Sequence, residues 1–255
     1  MSYIDKKSPI NLLWTGGWDS TFRLLQLLLE KKREVQPYYL VSGIRKSTDI
    51  EIRTMDKIKE KLFKSYPFTQ NLLLSTRYVN EAEVKIDHSI SESYEIIKTQ
   101  NYIGNQYVII ANFGKQFEMN GLELCIHLDD KAHEVLKPYA AVMSEDEQAC
   151  RLLECNSPTH LYQLFGYFTF PIFNYSKIDM EEIAKDQNWI ELMNLTWFCH
   201  HPFIGKIPCG ICNPCIYTIE EGLGSRIPFL LRISGKYVKR IYNSKLVLNI
   251  RKYSR

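Results

Sequence analysis

The stretch INLLWTGGWDSTFRLLQLLL, residues Ile10–Leu29, joins an apolar run to a helical pattern through a turn with two adjacent glycines. Residues Ile10–Trp14 have the composition of a short buried strand, whereas the apolar residues that follow recur at helical spacing, namely Phe22, Leu24, Leu25, Leu28 and Leu29. The sequence therefore predicts a strand, a tight turn at Thr15–Ser20 and a helix.

The rest of the chain alternates in the same way. Further strands are predicted at 34–42, 71–79 and 122–128, and helices at 49–66, 90–100, 105–120, 144–154 and 176–189. This alternation is typical of an α/β fold, an open parallel sheet with helices on both faces. We predict such a domain over residues 1–175, and a C-terminal extension over residues 176–255 that carries a cysteine cluster and a basic, strand-like tail.

The composition favours a folded protein outside the membrane. Hydrophobic residues make up 45% and charged residues 24% of the chain, which is enough for a sizeable core. Apolar runs stay well short of the ~18 residues that a membrane span needs. The first ten residues lack the apolar core of a secretory signal, so we expect a cytoplasmic location and reduced cysteines.

The charge is concentrated at the end of the chain. Between Gly222 and Arg255 there is no acidic residue, and nine residues are basic: Arg226, Arg232, Lys236, Lys239, Arg240, Lys245, Arg251, Lys252 and Arg255. A face of this kind binds a nucleic-acid backbone or an acidic partner, or is simply a solvated edge. The sequence leaves both interpretations open.

The turn after the first strand has the chemistry of a phosphate site. Gly16 and Gly17 allow a sharp bend and close approach of a ligand, and the following helix adds the positive end of its dipole. Thr15 and Ser20 offer hydroxyl donors. Asp19 either caps the helix or orients a magnesium ion. Because the turn lacks lysine, it suits a pyrophosphate leaving group better than γ-phosphoryl transfer.

The four cysteines of the extension have metal-ligand spacing. Cys199, Cys209, Cys212 and Cys215 form C-x9-C-x2-C-x2-C, which favours a closed, structural zinc site. An iron–sulfur cluster is the alternative, and His200 or His201 is an alternative ligand to Cys199.

The ordered set of hydroxyl, two glycines, aspartate and serine in TGGWDS resembles the PP-loop, S-G-G-x-D-S, of the ATP pyrophosphatases, with Thr15 in place of the first serine. The resemblance implies an adenine nucleotide alpha hydrolase-like fold. It also implies an enzyme that converts a carboxylate or carbonyl oxygen into an adenylate and releases pyrophosphate. The motifs of ordinary P-loops and of dinucleotide-binding turns are absent from the sequence.

Together with the CGxCxxC motif at 209–215, the loop makes the chain similar to the 7-cyano-7-deazaguanine synthase family up to about Gly222. In that family ATP adenylates 7-carboxy-7-deazaguanine, ammonia forms the amide, and a second ATP-dependent step yields the nitrile. Residues 129–142 depart from the family's pattern, and the arginine that usually follows the last cysteine is absent from the segment CIYTIEEG, which begins at Cys215. A divergent branch in bacterial anti-phage defence, which passes a deazaguanine-like acyl group to a protein amine, therefore stays open.

The resemblance implies a role for each matching residue. The phosphates of ATP would be bound by Thr15, Gly16, Gly17, Asp19 and Ser20, and adenine by the backbone at Leu40, Val41 and Gly43. Asp19, Ser20 and Lys177 would be catalytic. The substrate would contact His127, Asp129 and Asp130, or the two aspartates would instead bind a magnesium ion. The simpler alternatives are a solvated lysine at Lys177 and a buried structural histidine at His127.

The implied ligands are ATP, Mg²⁺ and Zn²⁺, with a deazapurine carboxylate as substrate and ammonia or a protein amine as acceptor. A homodimer is a further expectation. Two other functions stay open: a PP-loop tRNA-modifying enzyme that uses the basic tail, and a non-catalytic, zinc-stabilised nucleotide-binding subunit.

Overall fold

Five parallel strands form the central sheet of the protein. The structure is a computed structural model that describes residues 8–101, 103–143, 149–203 and 207–233. The strands of the sheet are β1 (Ile10–Leu13), β2 (Val35–Val41), β3 (Arg77–Asn80), β4 (Leu122–Glu123) and β7 (Phe168–Thr169). Two more strands, β5 (Ala140–Val142) and β6 (Cys150–Leu152), pair as a separate antiparallel hairpin.

Helices connect the strands. They are α1 (Trp18–Leu25), α2 (Thr48–Ser65), α3 (His88–Gln100), α4 (Gln106–Gln116), α5 (Lys131–Leu136), α6 (Thr159–Phe165), α7 (Lys177–Asp186), α8 (Ile190–Met193) and α9 (Asn213–Glu220). A π-helical turn, Gln26–Glu30, extends α1. None of the helices in these ranges combines the length and the apolar character that a membrane crossing requires.

The helices cover both faces of the sheet, as the sequence predicts. Neighbouring residues of a strand point to opposite faces. Leu13 therefore packs on one side with residues of α3, α4 and α6, and Leu12 on the other with residues of α1, α2 and α7. The core on the side of Leu12 is the second core, and it also contains Met180, Trp189 and Met193, which follow residue 176. The start of the extension is thus packed against the sheet.

In the strand order β3-β2-β1-β4-β7, successive strands are first added on one side of β1 and then on the other, so the order of the chain in the sheet reverses beside β1. The chain runs outward from β1 through β2 to β3, then crosses back to β4 on the other side of β1. In open parallel sheets, ligands bind at the carboxyl ends of the strands at such a reversal. The glycine turn follows β1 directly, and the predicted substrate residues follow β4. Both therefore lie at this position.

A buried ion pair ties α1 to β4 beneath this position. Arg23 Nε and Nη2 donate to the two carboxylate oxygens of Glu123 at 2.9 and 2.6 Å. Both side chains are almost completely buried. Two parallel hydrogen bonds between a guanidinium and a carboxylate fix orientation as well as distance. The pair therefore holds the first helix in register with the strand across the reversal.

Removing one partner of this pair should destabilise the fold strongly. In Glu123→Ala the buried guanidinium loses its countercharge, and we expect a loss of about 3–5 kcal/mol in the free energy of unfolding. Denaturant titration measures this loss. The matched control is Glu191→Ala, which breaks the exposed pair with Lys61 and should have only a small effect because water replaces the contact. Equal losses in the two variants would contradict the assigned role of the buried pair.

Parts of the sequence prediction are wrong. A helix is predicted over 144–154, but Cys150–Leu152 is the strand β6, because the backbone of Cys150 exchanges hydrogen bonds with Phe170 at 3.1 and 2.7 Å. Residues 144–148 lie outside the described residues. The strand predicted at 122–128 is only two residues long, and the described start of the tail contains a 3-10 turn, Gly224–Arg226, where a strand-like tail is predicted. The tail beyond residue 233 lies outside the described residues.

Candidate functional site

The glycine turn is shaped by its backbone. Gly16 has a φ of +69°, and a Cβ at this position would lie 3.1 Å from Met55 Cγ. Both features favour glycine. Gly17 is the N-cap of α1, and the Thr15 amide donates to Ser20 Oγ at 3.4 Å across the turn. The turn therefore places the amides that begin α1 beside two hydroxyls.

The turn opens into a cavity of about 490 Å³, a volume typical of ligand sites. Most of the predicted site residues line this cavity, namely Thr15, Gly17, Asp19, Ser20, Leu40, His127, Asp129, Asp130 and Lys177. Gly16, Val41 and Gly43 do not line it. Gly16 shapes the turn from behind, Val41 packs against the second core, and Gly43 faces open space. Residues from three strand ends and from the extension are thus brought to one place.

Asp19 lies in the first turn of α1 and does not cap it. Its Oδ1 is buried and has no hydrogen-bond partner among the described residues. His127 Nε2 lies 3.9 Å and Lys177 Nζ 3.8 Å from this oxygen, which is too far for direct hydrogen bonds. A buried carboxylate oxygen without a donor carries a desolvation cost. The gap around it has room for a ligand, a water or a cation.

His127 is buried in the loop that follows β4. Its Nδ1 accepts a hydrogen bond from the Asp129 amide at 3.2 Å. In the neutral imidazole the proton is then on Nε2, the nitrogen that faces Asp19. The residue is therefore oriented by its own loop and presents a donor to the cavity.

Lys177 opens α7 and is mostly buried rather than solvated. Burial lowers the pKa of its ammonium, but Asp19 and Glu221 outweigh this effect, and the pKa is raised. Glu221 Oε2 lies 2.7 Å from Nζ. The Lys177 amide also donates to Asp129 Oδ2 at 3.3 Å. The lysine is thus a fully charged bridge between the turn and the extension.

Asp130 has a structural contact as well as a place in the cavity wall. Its side chain caps α5 by accepting from the Ala132 amide at 2.8 Å. Tyr107 Oη lies 3.5 Å from both oxygens of this carboxylate, and burial, together with the charge of Asp130, raises the pKa of Tyr107. The phenol therefore stays protonated and presents a donor.

Several cavity residues were not predicted from the sequence. Glu221 and Arg226 come from the extension, and Trp197 and Phe198 precede and flank the first cysteine. Arg226 was counted with the basic tail, but its side chain lies in the cavity wall and not on a solvated face. Arg45, which pairs with Glu51 at 3.5 Å, also lines the cavity. Sequence spacing carries no signal for the residues of the extension, since they meet segments that are far away in the chain.

The four cysteines come together as their spacing predicts. The sulfurs of Cys199, Cys209, Cys212 and Cys215 all lie within 4.8 Å of one another, and two of the Sγ–Sγ separations are 3.9 Å. A tetrahedral ion with Zn–S bonds of about 2.3 Å requires sulfurs about 3.8 Å apart. The cluster could therefore hold a metal ion such as zinc, and Cys199 completes it without either histidine.

The cysteine cluster is connected to the glycine turn by the segment just before Cys199. The Trp197 amide donates to the Gly16 carbonyl at 3.0 Å, and Trp197 Nε1 donates to the Cys199 carbonyl at 2.7 Å. Cys212 is the N-cap of helix α9, and the helix residues Tyr217 and Thr218 line the cavity. The cysteine cluster thus holds one wall of the cavity in place.

The cavity wall carries more negative than positive charge. Its carboxylates are Asp19, Glu51, Glu81, Asp129, Asp130 and Glu221, and its cations are Arg45, Lys131, Lys177 and Arg226. Counted over the described residues, six negative and four positive groups leave a net charge of −2 with the histidines neutral. An anionic ligand would therefore bind here together with a cation, or against locally positive groups and backbone amides.

Comparison of the chain with family models, curated proteins and solved structures returns no match. The function is therefore argued from the geometry of the site.

Proposed function

We propose that the protein is an ATP-dependent ligase or synthase that adenylates the carboxylate of a 7-deazaguanine-type base and passes the acyl group to an amine. The observation that carries the proposal is the glycine turn at the chain reversal, with Asp19 Oδ1 buried in it without a donor. This arrangement is suited to a polyphosphate that arrives with a divalent cation. The similarity of TGGWDS to PP-loops supports the same interpretation.

The phosphates would be bound mainly by the turn. Residues Gly17–Ser20 at the start of α1 line the cavity, so the backbone amides and the positive end of the helix dipole lie at its wall. Thr15 and Ser20 add hydroxyl donors at its edge. Such donors are fixed before the reaction, so they stabilise charge that develops on the departing pyrophosphate without a reorganisation cost.

The carboxylate of Asp19 fits the requirements of a magnesium site. Magnesium takes oxygen ligands at about 2.0–2.1 Å and usually keeps several waters, and Asp19 Oδ1 is a buried oxygen with space around it. When bound there, the ion would neutralise charge on the phosphates. Lys177 would hold the carboxylate in position from 3.8 Å away.

The cavity also suits a planar, purine-like base. Aromatic side chains line it, among them Tyr38, Tyr107, Trp197 and Tyr217, and their faces offer stacking surfaces. Asp129 and Asp130 line the same cavity as Asp19 and would accept hydrogen bonds from the N–H groups of a guanine-like edge. Adenine would lie near Leu40, at the end of β2.

In the proposed reaction, a carboxylate oxygen of the substrate attacks the α-phosphorus of ATP. The bond between the α- and β-phosphoryl groups breaks, pyrophosphate leaves, and an acyl adenylate forms. An amine then attacks the acyl carbon and AMP leaves, which yields an amide. With ammonia as the amine a second ATP-dependent dehydration gives the nitrile, whereas a protein amine gives a stable conjugate. The chain's contribution is to align the reacting oxygen with the phosphorus and to exclude water.

The cysteine cluster has a structural role in this proposal. Its sulfur separations suit a single tetrahedral zinc ion, whereas a [4Fe–4S] cluster would bind each thiolate to a different iron and spread the sulfurs further apart. All four positions are taken by thiolates, so none is open for chemistry. The ion would hold α9 and the Trp197 segment against the turn.

The activity is tested with purified protein, Mg²⁺, ATP and 7-carboxy-7-deazaguanine. We expect release of pyrophosphate and AMP that depends on the deazaguanine, and exchange of labelled pyrophosphate into ATP before any amine is added. A simple aromatic carboxylate without the purine-like edge is the control and should support little exchange. ATP binding without pyrophosphate release, or release of ADP, would contradict the proposal. The former result would favour a nucleotide-binding subunit.

A further inference from the structure

Four cationic side chains line the cavity, and three of them face a carboxylate. These pairs are Arg45 with Glu51 at 3.5 Å, Lys131 with Glu134 at 3.7 Å, and Lys177 with Glu221 at 2.7 Å. The fourth is Arg226. Within the described ranges, no carboxylate lies at ion-pair distance from its guanidinium. Among the described residues of the cavity wall, Arg226 is therefore the cation that has no carboxylate at ion-pair distance.

The guanidinium of Arg226 is held firmly in place. Its Nη2 donates to the carbonyl oxygen and to Oγ1 of Thr196, at 2.5 and 2.8 Å. The Cζ atom lies 4.9 Å from the ring of Trp18 and 5.0 Å from the ring of Phe198, so two aromatic side chains enclose the charge. Burial lowers the pKa of Arg226 to about 10, against the opposing effect of Asp19, and the group stays charged at neutral pH.

The fixed contacts leave donors for a ligand. Both hydrogen bonds to Thr196 use the same terminal nitrogen, and a guanidinium has five N–H donors on three nitrogens. Trp18, over which the guanidinium lies, is the residue directly after the two glycines. The unused donors therefore lie beside the glycine turn, which contains no lysine of its own.

We infer that Arg226 is the side chain that binds the pyrophosphate end of the nucleotide, a phosphate ligand supplied from the C-terminal extension. This inference rests on the proposed function. The remaining Nε and Nη1 donors of the guanidinium can form charge-assisted hydrogen bonds to phosphoryl oxygens, which suits recognition of a leaving pyrophosphate. Because Thr196, Trp18 and Phe198 fix the group before the ligand arrives, little side-chain entropy is lost on binding.

The test measures binding of three ligands to the full-length protein by calorimetry in the presence of Mg²⁺: ATP, inorganic pyrophosphate and AMP. In Arg226→Gln we expect the dissociation constants of ATP and pyrophosphate to rise about 10- to 100-fold, since a charge-assisted contact is lost. The dissociation constant of AMP should change by less than about twofold, because AMP lacks the β- and γ-phosphates. Arg226→Lys keeps the charge and should recover part of the affinity.

The matched control is Arg232→Gln. Arg232 lies in the same segment, and its guanidinium lies 5.4 Å from the ring of Phe229, outside the cavity. A general loss of fold in Arg226→Gln would weaken all three ligands equally, and this result would overturn the inference, as would unchanged binding of pyrophosphate. If the wild-type protein binds neither ATP nor pyrophosphate, the proposed function fails and the inference fails with it. If the wild-type protein binds both and Arg226→Gln does too, only the inference fails.

Discussion

Asp19→Asn should abolish most of the pyrophosphate release while leaving the protein folded. The substitution keeps the shape of the side chain but removes the negative charge that would coordinate magnesium beside the phosphates. Removal of one preorganised electrostatic group from an active site costs about 100- to 1,000-fold in rate, and we expect a loss of this size in kcat. The measurement is carboxylate-dependent release of pyrophosphate at saturating ATP.

The stability of this variant separates a functional from a structural role. Asp19 Oδ1 is buried without a hydrogen bond, which costs the folded state free energy, but the charge of Lys177 at 3.8 Å offsets part of this cost. The melting temperature of Asp19→Asn should therefore stay close to that of the wild type, whereas turnover is lost. Asp186→Asn, at the exposed end of α7, is the matched control and should alter neither quantity. Unchanged turnover in Asp19→Asn would rule out the proposed magnesium site.

The sequence predicts the turn and its setting because their signals are local. Residues Ile10–Leu29 change from a buried strand to a helical repeat within one contiguous segment, and the glycines between them mark the bend. The spacing of Cys209, Cys212 and Cys215 is local in the same sense, since two intervening residues let neighbouring thiolates reach one ion. The parallel sheet follows from the alternation of strands and helices.

The parts that sequence reasoning missed depend on contacts between distant segments. Residues Cys150–Leu152 pair with Ala140–Val142 and contact Phe170 through the backbone, and a backbone partner is invisible in the side-chain pattern. Arg226 is a similar case. By composition it is one basic residue among nine, and only the contact with Thr196, thirty residues earlier, turns it toward the cavity. Leu223 and Ile227 in the same segment are both buried, so this part of the tail packs against the rest of the chain.

Loss of a metal from the cysteine cluster should disrupt the proposed nucleotide site as well as the extension. Structural zinc contributes on the order of 10 kcal/mol to the folding of small domains, which exceeds what the remaining contacts of a short segment supply. In Cys215→Ser we expect the bound metal, measured by elemental analysis, to be lost. Binding of ATP should weaken together with it, because α9 and the Trp197 segment form one wall of the cavity.

The effect should be confined to one part of the molecule. Hydrogen exchange should show lost protection from Trp197 to Ile233, within the described ranges, and retained protection in β1 and β2, whose core contacts do not involve the cysteines. Cys155→Ser is the matched control, since Cys155 is exposed and lies outside the cluster. A chelator should reproduce the result for Cys215→Ser in the wild type. If the metal is lost and ATP still binds with wild-type affinity, the cysteine cluster does not support the cavity wall. The coupling between extension and turn through Trp197 and Gly16 then has no functional consequence.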